Sequence, residues 1–399
     1  MTGPALRTRP SKSLGPFPVV LFTNSWMMGG MEEHILKLAR GLRGSGHAVA
    51  LICPPDQVVA PLREACASAG VDVHALAERR GPFGALRRVR ELSRLLRPHR
   101  DGVLHLHLTG PYGGELALLA GKLAGCAAIV RTEHQPPERP PSGRQRWRMK
   151  AKDRALSAVL CVSRQNMEHF TRDLGRDARK FAVVHNCIDL ARFDPVKVDG
   201  ARWRAELSLP VAAEVVGMVA RLAEERKGAA VFLEMAAGVA QKRPQARFVI
   251  AGDGPLRPAL ERQAAELGID SQVAFLGERQ DIPELLAAMD VFVMPSLWEG
   301  GPYTVLEAMA MERPVVTTNV GMVRDVVRSG EHALVVPPGD AGALAEAVLG
   351  LLNEPELRVR LARAGRRLAV ERFSEERLVE GVLAVYERSL ARGGSGPQR

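Results

Sequence analysis

The sequence offers little that would cross-link the chain or anchor it. Five cysteines stand among 399 residues. Cys53, Cys66, Cys126, Cys161 and Cys187 are scattered and form no CxxC pair, which argues against a zinc site and against a disulfide framework. A reducing compartment is the expected setting. No uninterrupted apolar run approaches the ~18 residues that a membrane-spanning helix needs. Short-period repeats, zinc-finger patterns and helix-turn-helix patterns are absent, so a nucleic-acid reader built from a small module is not expected. The opening MTGPALRTRPSKSLGPFP is basic and has no apolar core, so it does not read as a signal peptide. Residues 1–17 are expected to be a disordered leader and 393–399 a disordered tail.

What is present points to two α/β domains. The length exceeds what one compact core accommodates. The formal charge of +10 favours acidic partners, whether nucleotide phosphates, an anionic membrane or nucleic acid. Apolar runs such as PVVLFTNS (18–25), HAVALICP, GVLHLHL and AAIVRTEH read as buried strands of a parallel sheet. Amphipathic helices such as MEEHILKLARGLRGSG separate them. The stretch LARFDPVKVDGARWRAELSLPVAAE breaks this rhythm and reads as a linker. Alternation then resumes with VVGMVAR, ARFVIAGDG, QVAFLG, VFVMPS and PVVTTNV. The expected domains are 18–194 and 195–373, followed by a long amphipathic helix over 374–392. Strands alternating with helices in this way build open sheets covered on both faces, which bind ligands at the carboxyl ends of their strands.

Several stretches could carry chemistry at such strand ends. In SLWEGGPYTVLEAM (296–309), Glu299 lies in a glycine-rich turn after a strand, and Pro302 suits the first position of a helix. The free N–H groups of that helix start would attract a phosphate. Glu307, in the helix, is the kind of group that holds the vicinal hydroxyls of a ribose. The same spacing also fits two acids merely favoured at a helix start, by ~0.3–1 kcal/mol. In VVGMVARLAEERKGAAV, Arg221 and Lys227 are two cations at a strand end that could bind a diphosphate without a metal; a solvated charged loop is the alternative. In IAGDGP, Gly252 and Gly254 would let backbone approach a ligand. In the first half, MMGG (27–30) is another glycine-lined turn between strand and helix. His134 ends the strand AAIVRTEH, where it could reach a sugar hydroxyl or be structural. His105 and His107 alternate along VLHLHL and read as packing.

Taken in order, the GG-x-E of the first turn, the TEH strand end, HNCIDLARF, ARLAEERKG, IAGDGP, the E-x7-E of 299 and 307, and GEHALVVPPGDAGALAEAV resemble the family-four retaining glycosyltransferases. The resemblance runs from about residue 18 to 390. It implies the GT-B fold: two Rossmann-like doubly wound domains facing across a cleft, with the acceptor mostly on the first, the donor mostly on the second, and the last helix crossing back. It also implies roles. Arg221 and Lys227 would hold the donor pyrophosphate, Glu307 the nucleotide ribose, and Glu299 the transferred sugar. Gly29 and Gly30 would approach the donor, His134 would contact the sugar, and backbone at Gly254, Gly301, Thr304 and Val305 would line the site. The donor would be a UDP- or GDP-linked sugar. No DxD triplet is present, so no metal and no cofactor are expected. The sequence departs from the family at Ala220, Cys187, Gly301, Pro302 and Met322, which leaves the sugar open.

Two basic stretches in the first domain, 79–100 and 139–154, hold eight and seven basic residues with one acid each. Basic helices with interleaved Leu or Trp can rest on anionic lipid, which would suit a lipid-linked acceptor at the cytoplasmic face of a membrane; a solvated basic surface is the alternative. Two other functions fit the same architecture, a non-catalytic nucleotide-sugar-binding protein and an epimerase or phosphorylase.

Overall fold

The computed structural model describes residues 15–77, 83–137, 140–206 and 213–393. The expected leader up to residue 14, the tail from 394, and Arg79, Arg80 and Arg139 of the basic stretches lie outside the described residues. The chain divides into two compact units. One comprises residues up to Cys161, Phe170–Val184 and Val379 onward; the other comprises Val162–His169 and His185–Leu378. The chain thus changes unit at Val184, ahead of the expected boundary at 194.

The first unit holds a seven-stranded, all-parallel sheet. Its strands are β1 (Val19–Thr23), β2 (Val49–Cys53), β3 (Asp72–Ala75), β4 (Val103–His107), β5 (Ala128–Glu133), β6 (Ala158–Cys161) and β7 (Phe181–Val183). They lie in the order β3-β2-β1-β4-β5-β6-β7. The sequence order reverses at β1/β4, the switch point at which doubly wound sheets open a binding crevice. The connecting helices are α1 (Gly30–Gly44), α2 (Ala60–Ser68), α3 (Gly84–Leu96), α4 (Glu115–Ala124) and α5 (Gly143–Asp153). A short α6 (Arg164–Glu168) follows β6 and α7 (Ala201–Glu206) lies in the expected linker; both belong to the second unit. The central strands are buried along their whole length, which is why VVLFT and VALIC read as unbroken apolar runs. Leu104, Leu106 and Ile129 pack under Leu92, Leu96, Ala117 and Leu118 of α3 and α4.

The second unit repeats the plan with six parallel strands: β8 (Val215–Val219), β9 (Arg247–Ala251), β10 (Val273–Phe275), β11 (Val291–Met294), β12 (Val315–Thr318) and β13 (Leu334–Val336). The order is β10-β9-β8-β11-β12-β13. Its helices are α8 (Ala229–Lys242), α9 (Arg257–Glu266), α10 (Ile282–Ala288), α11 (Tyr303–Ala310), α12 (Val323–Val326), α13 (Ala341–Asn353) and α14 (Pro355–Arg372). Successive strand residues point to opposite faces. Val216, Met218, Ile250 and Val293 therefore pack with Phe232 and Leu344 on one side. Phe292, Met294 and Val315 pack with Leu306, Met309 and Leu368 on the other. Helix α14 and strand β13 were absent from the sequence-based expectation. The last helix, α15 (Glu375–Gly393), starts in the second unit and continues into the first.

Burial also silences the thiols. Desolvation pushes Cys53 and Cys126 up to about 11 and Cys66 to about 12, and Cys161 also rises. Among the described residues no helix is long and apolar enough to cross a membrane.

Candidate active site

In the second unit, three loops at the carboxyl ends of neighbouring strands are tied together by backbone contacts. The loop after β8 is laced to the loop after β9. The amide of Ala220 donates to the carbonyl of Ala251 (2.9 Å) and that of Leu222 to the carbonyl of Asp253 (2.8 Å). Gly252 and Gly254, at φ of 131° and 153°, permit this approach. A Cβ at Gly252 would fall 1.9 Å from the Ala220 oxygen, and one at Gly254 2.4 Å from the Leu222 oxygen. These glycines therefore permit the loop-to-loop packing that shapes the turn carrying Arg221. Arg221 itself is exposed.

Farther along that loop, a single helical turn over Glu225–Lys227 leads into α8 through Gly228, at φ 71°. A Cβ there would sit 2.1 Å from the carbonyl oxygen of Pro295, just past β11. The turn is thereby pressed against the end of β11, and Lys227 Nζ donates to Glu299 Oε1 at 2.7 Å. Arg226 Nη1 reaches Glu299 Oε2 at 3.4 Å, and Ser296 Oγ donates to Oε1 at 3.2 Å. Ser296 is held by Thr318 Oγ1, which donates to its carbonyl at 2.6 Å. Glu299 is 5% exposed, so its charge is buried against two cations. Arg226 also pairs with Glu224 and lies over the Trp298 ring. Arg226 is not among the cations expected from the sequence, although it stands beside Lys227 in EERKG.

The turn after Glu299 is fixed from two sides. Gly321, at φ 55°, brings backbone against it, and the Met322 amide donates to the Gly300 carbonyl at 3.0 Å. Asn186 Nδ2 donates to the Gly301 carbonyl at 2.7 Å. Pro302 is the N-cap of α11, which begins at Tyr303, so it stands one position ahead of the first helical place expected for it. Its φ of −68° suits either position, but its ψ of 115° is extended and delays the helix. Thr304 and Val305 lie in the first turn of α11, whose leading N–H groups have no partner within the helix. Glu307 is half-buried in the following turn. The second unit thus joins Glu299 and Lys227 directly and sets α11 immediately after them.

The first unit carries a separate group. Gly29 caps α1 in an extended conformation and Gly30 is its first residue. His134 directly follows β5. His105 and His107 of β4 point to the same side of the sheet, and His107 is in register with Thr132. The result is a layer of four histidines. The ring of His107 lies 4.1 Å from His105, 5.5 Å from His34 and 5.4 Å from His134, centroid to centroid. His107 Nδ1 and His134 Nε2 are 3.1 Å apart. His105 contacts Tyr386 Oη of α15 through Nδ1 and Thr132 Oγ1 through Nε2, each at 2.7 Å. Burial drives His105, His107 and His134 well below the usual histidine range, and their histidine neighbours push them further. His105, His107 and His134 are therefore neutral at pH 7. His105 and His107 do pack, as their alternation suggested, but they pack onto His134. Among the described residues no group of three or more potential ligands has the geometry to hold a metal ion.

On the other side of β5 lies a buried ionic network. Arg176 is bidentate on Asp153 (2.9 and 2.7 Å) and donates to Glu133 at 2.8 Å. Arg131 Nε lies 3.1 Å from the same Glu133 oxygen.

Two family models match the chain: Glycosyltransferase Family 4 over residues 28–192 and Glycosyl transferases group 1 over 213–354. The phosphatidyl-myo-inositol mannosyltransferase of Mycobacterium leprae is 30% identical over 93% of this chain and 96% of its own. A UDP-Gal:alpha-D-GlcNAc-diphosphoundecaprenol alpha-1,3-galactosyltransferase of Escherichia coli is 26% identical over 74% and 77%. Among solved structures, Anabaena Alr3699/HepE in complex with UDP superposes with a TM-score of 0.80 at 21% identity, covering 93% of this chain and all of that one. The two parallel-sheet units are those of GT-B glycosyltransferases. With its two halves matched by glycosyltransferase models, and a relative aligned over nearly its whole length, the chain belongs to glycosyltransferase family 4.

Proposed function

We propose that the protein is a retaining glycosyltransferase. It moves a sugar from a UDP- or GDP-linked donor to a hydroxyl of a lipid-linked or cell-envelope acceptor, at the cytoplasmic face of a membrane. The observation that carries this reading is the buried Glu299–Lys227 pair set directly before α11. As the bond from the anomeric carbon to the diphosphate oxygen breaks, negative charge collects on the leaving phosphate. Arg221, Lys227 and the first-turn N–H groups of α11, around Thr304 and Val305, stabilise it in place. Arginine and lysine thus supply the positive charge, and no metal or cofactor enters the scheme. Glu299 positions Lys227 and holds the transferred sugar, and Glu307 binds the ribose. The acceptor oxygen bonds to the face that the leaving group vacates, and its proton passes to the departing phosphate. From the first unit, Gly29 and Gly30 serve the donor and His134 a sugar hydroxyl.

The membrane assignment rests on one face of the first unit. Helix α3 packs on α4, and Arg148 of α5 pairs with Glu115 of α4 at 2.8 Å, so the three helices are neighbours. Their outward residues include Leu86, Leu119, Leu123 and Trp147, with Trp147 70% exposed, among Arg87, Arg90, Arg94, Arg144 and Arg146. Apolar side chains set among cations suit an anionic bilayer. The names of the M. leprae and E. coli relatives, with their phosphatidylinositol and diphosphoundecaprenol acceptors, point the same way.

The test is transfer from a panel of nucleotide sugars by the protein and by Lys227→Ala. The variant should lose ~10²–10³-fold in rate, and UDP or GDP should raise the melting temperature. Normal transfer by Lys227→Ala overturns the site. Failure to co-sediment with phosphatidylglycerol vesicles overturns the membrane assignment.

A further inference from the structure

The histidine layer bears on which proton His134 carries. Both His107 and His134 are neutral, so a single N–H lies between His107 Nδ1 and His134 Nε2, 3.1 Å apart. Two arrangements are possible. If His134 donated, the proton of His107 would sit on its Nε2. That nitrogen is buried and meets no hydrogen-bond partner among the described residues. An orphaned buried N–H is the rarer and costlier defect, compared with an acceptor left unmet. If His107 donates instead, its Nε2 is only a bare lone pair, and the proton of His134 must lie on Nδ1.

We propose that His107 is a positioning residue whose Nδ1–H fixes His134 as the Nδ1-protonated tautomer. His134 then carries its one N–H on Nδ1, while its Nε2, engaged by His107, is closed to proton abstraction. This rests on the reading of His134 as a sugar contact, and it accounts for why the acceptor proton leaves with the phosphate rather than with a histidine base. The ring of His107 is held for the task. It stacks on His105 at 4.1 Å, and His105 is pinned from both nitrogens by Tyr386 and Thr132. Tyr386 is fully buried on α15, so the last helix helps fix the orientation of the layer.

Two measurements test the proposal. In protein labelled with 15N-histidine, long-range proton–nitrogen correlation spectra, assigned with a His134→Asn variant, should show His134 protonated at Nδ1 and bare at Nε2. The opposite tautomer overturns the proposal whether or not the protein transfers sugar, which separates this failure from failure of the functional reading. The second compares His107→Leu with His107→Asn, whose amide keeps a donor near the place of Nδ1. His107→Leu should lower kcat ~10–100-fold, with KM for the nucleotide sugar within about threefold of wild type, because a misaligned group costs chiefly in the reacting geometry. His107→Asn should restore most of that loss. Equal rates in the two variants, at equal melting temperatures, overturn the proposal. If His107→Leu does not fold, the tautomer spectrum decides alone.

Discussion

Arg176→Met is the sharpest perturbation of the first unit. Arg176 is 5% exposed, bidentate on Asp153 and bonded to Glu133, and its guanidinium lies 5.0 and 4.8 Å from the rings of Phe170 and Phe181. Methionine keeps the apolar stem but strands the Asp153 carboxylate, which is itself only 6% exposed. Glu133 retains Arg131. Breaking a buried pair from one side costs ~3–5 kcal/mol, and the lost ring contacts add about 1 kcal/mol. At about 2–4 °C per kcal/mol, the combined ~4–6 kcal/mol should lower the melting temperature of the unit by roughly 8–24 °C. Hydrogen exchange of peptides from β5 and β6 in a urea series isolates this unit from the other. Burial raises the Glu133 pKa, but the facing Arg131 and Arg176 outweigh it and hold the carboxyl below its usual range. A carboxyl depressed by folding contributes stability above its unfolded pKa of about 4.3, and that contribution is lost as the pH falls through the folded value. Without Arg176 the depression shrinks, so the deficit of the variant should be widest near neutrality and should narrow below about pH 4.3. Adding Asp153→Leu should recover much of the loss, since an apolar replacement of both partners is close to neutral. A deficit below about 1 kcal/mol in Arg176→Met would refute the assignment of this network as a buried, mutually dependent set of charges.

Three further outcomes follow from the geometry. Glu307→Ala should weaken UDP or GDP binding ~10–100-fold, the loss of a charged hydrogen bond, and should erase any preference for the ribo- over the 2′-deoxyribonucleotide in calorimetry; a retained preference removes Glu307 from the ribose. Gly228→Ala places a Cβ 2.1 Å from the Pro295 oxygen at φ 71°. It should destabilise the second unit by ~2 kcal/mol or more and cut turnover at least tenfold, and an unchanged rate would mean that the Lys227 turn does not depend on this contact. Burial holds His105, His107 and His134 below the usual histidine range. Below about pH 6.5 the unfolded chain therefore binds more protons than the folded one. Stability of the first unit should fall as acid is added, by up to ~1.4 kcal/mol per histidine per pH unit. Denaturation curves for this unit that superimpose from pH 7.5 to 5 would contradict this.

The central parallel strands were legible because they are buried on both faces and spell an unbroken apolar word; the half-buried β13 was not. Glu299, Lys227 and Glu307 were legible because glycine turns and a proline mark where strands hand over to helices. Other features were not. Helix α14 reads as charge, since PELRVRLARAGRRLAVER hides its buried Leu361, Gly365 and Leu368 among six arginines and two glutamates. Arg226 was hidden because four consecutive charged residues, Glu224 to Lys227, give no clue to which cation turns toward a carboxylate. The histidine layer depends on the β4–β5 register, which pairs His107 with Thr132. Alternation within one strand could say that His105 and His107 share a side, but not that His134 and Tyr386 meet them there.

The muted thiols have a practical consequence. Cys53, Cys66, Cys161 and Cys187 are buried, and only Cys126, in the turn after α4, is partly open. A maleimide dye at neutral pH would find almost no thiolate on the native protein. Replacing Cys126 with serine would leave a quiet background. Two cysteines engineered at exposed positions, one per unit, could then carry a fluorophore pair, and single-molecule energy transfer would report whether the distance between the two dyes changes when a nucleotide is added.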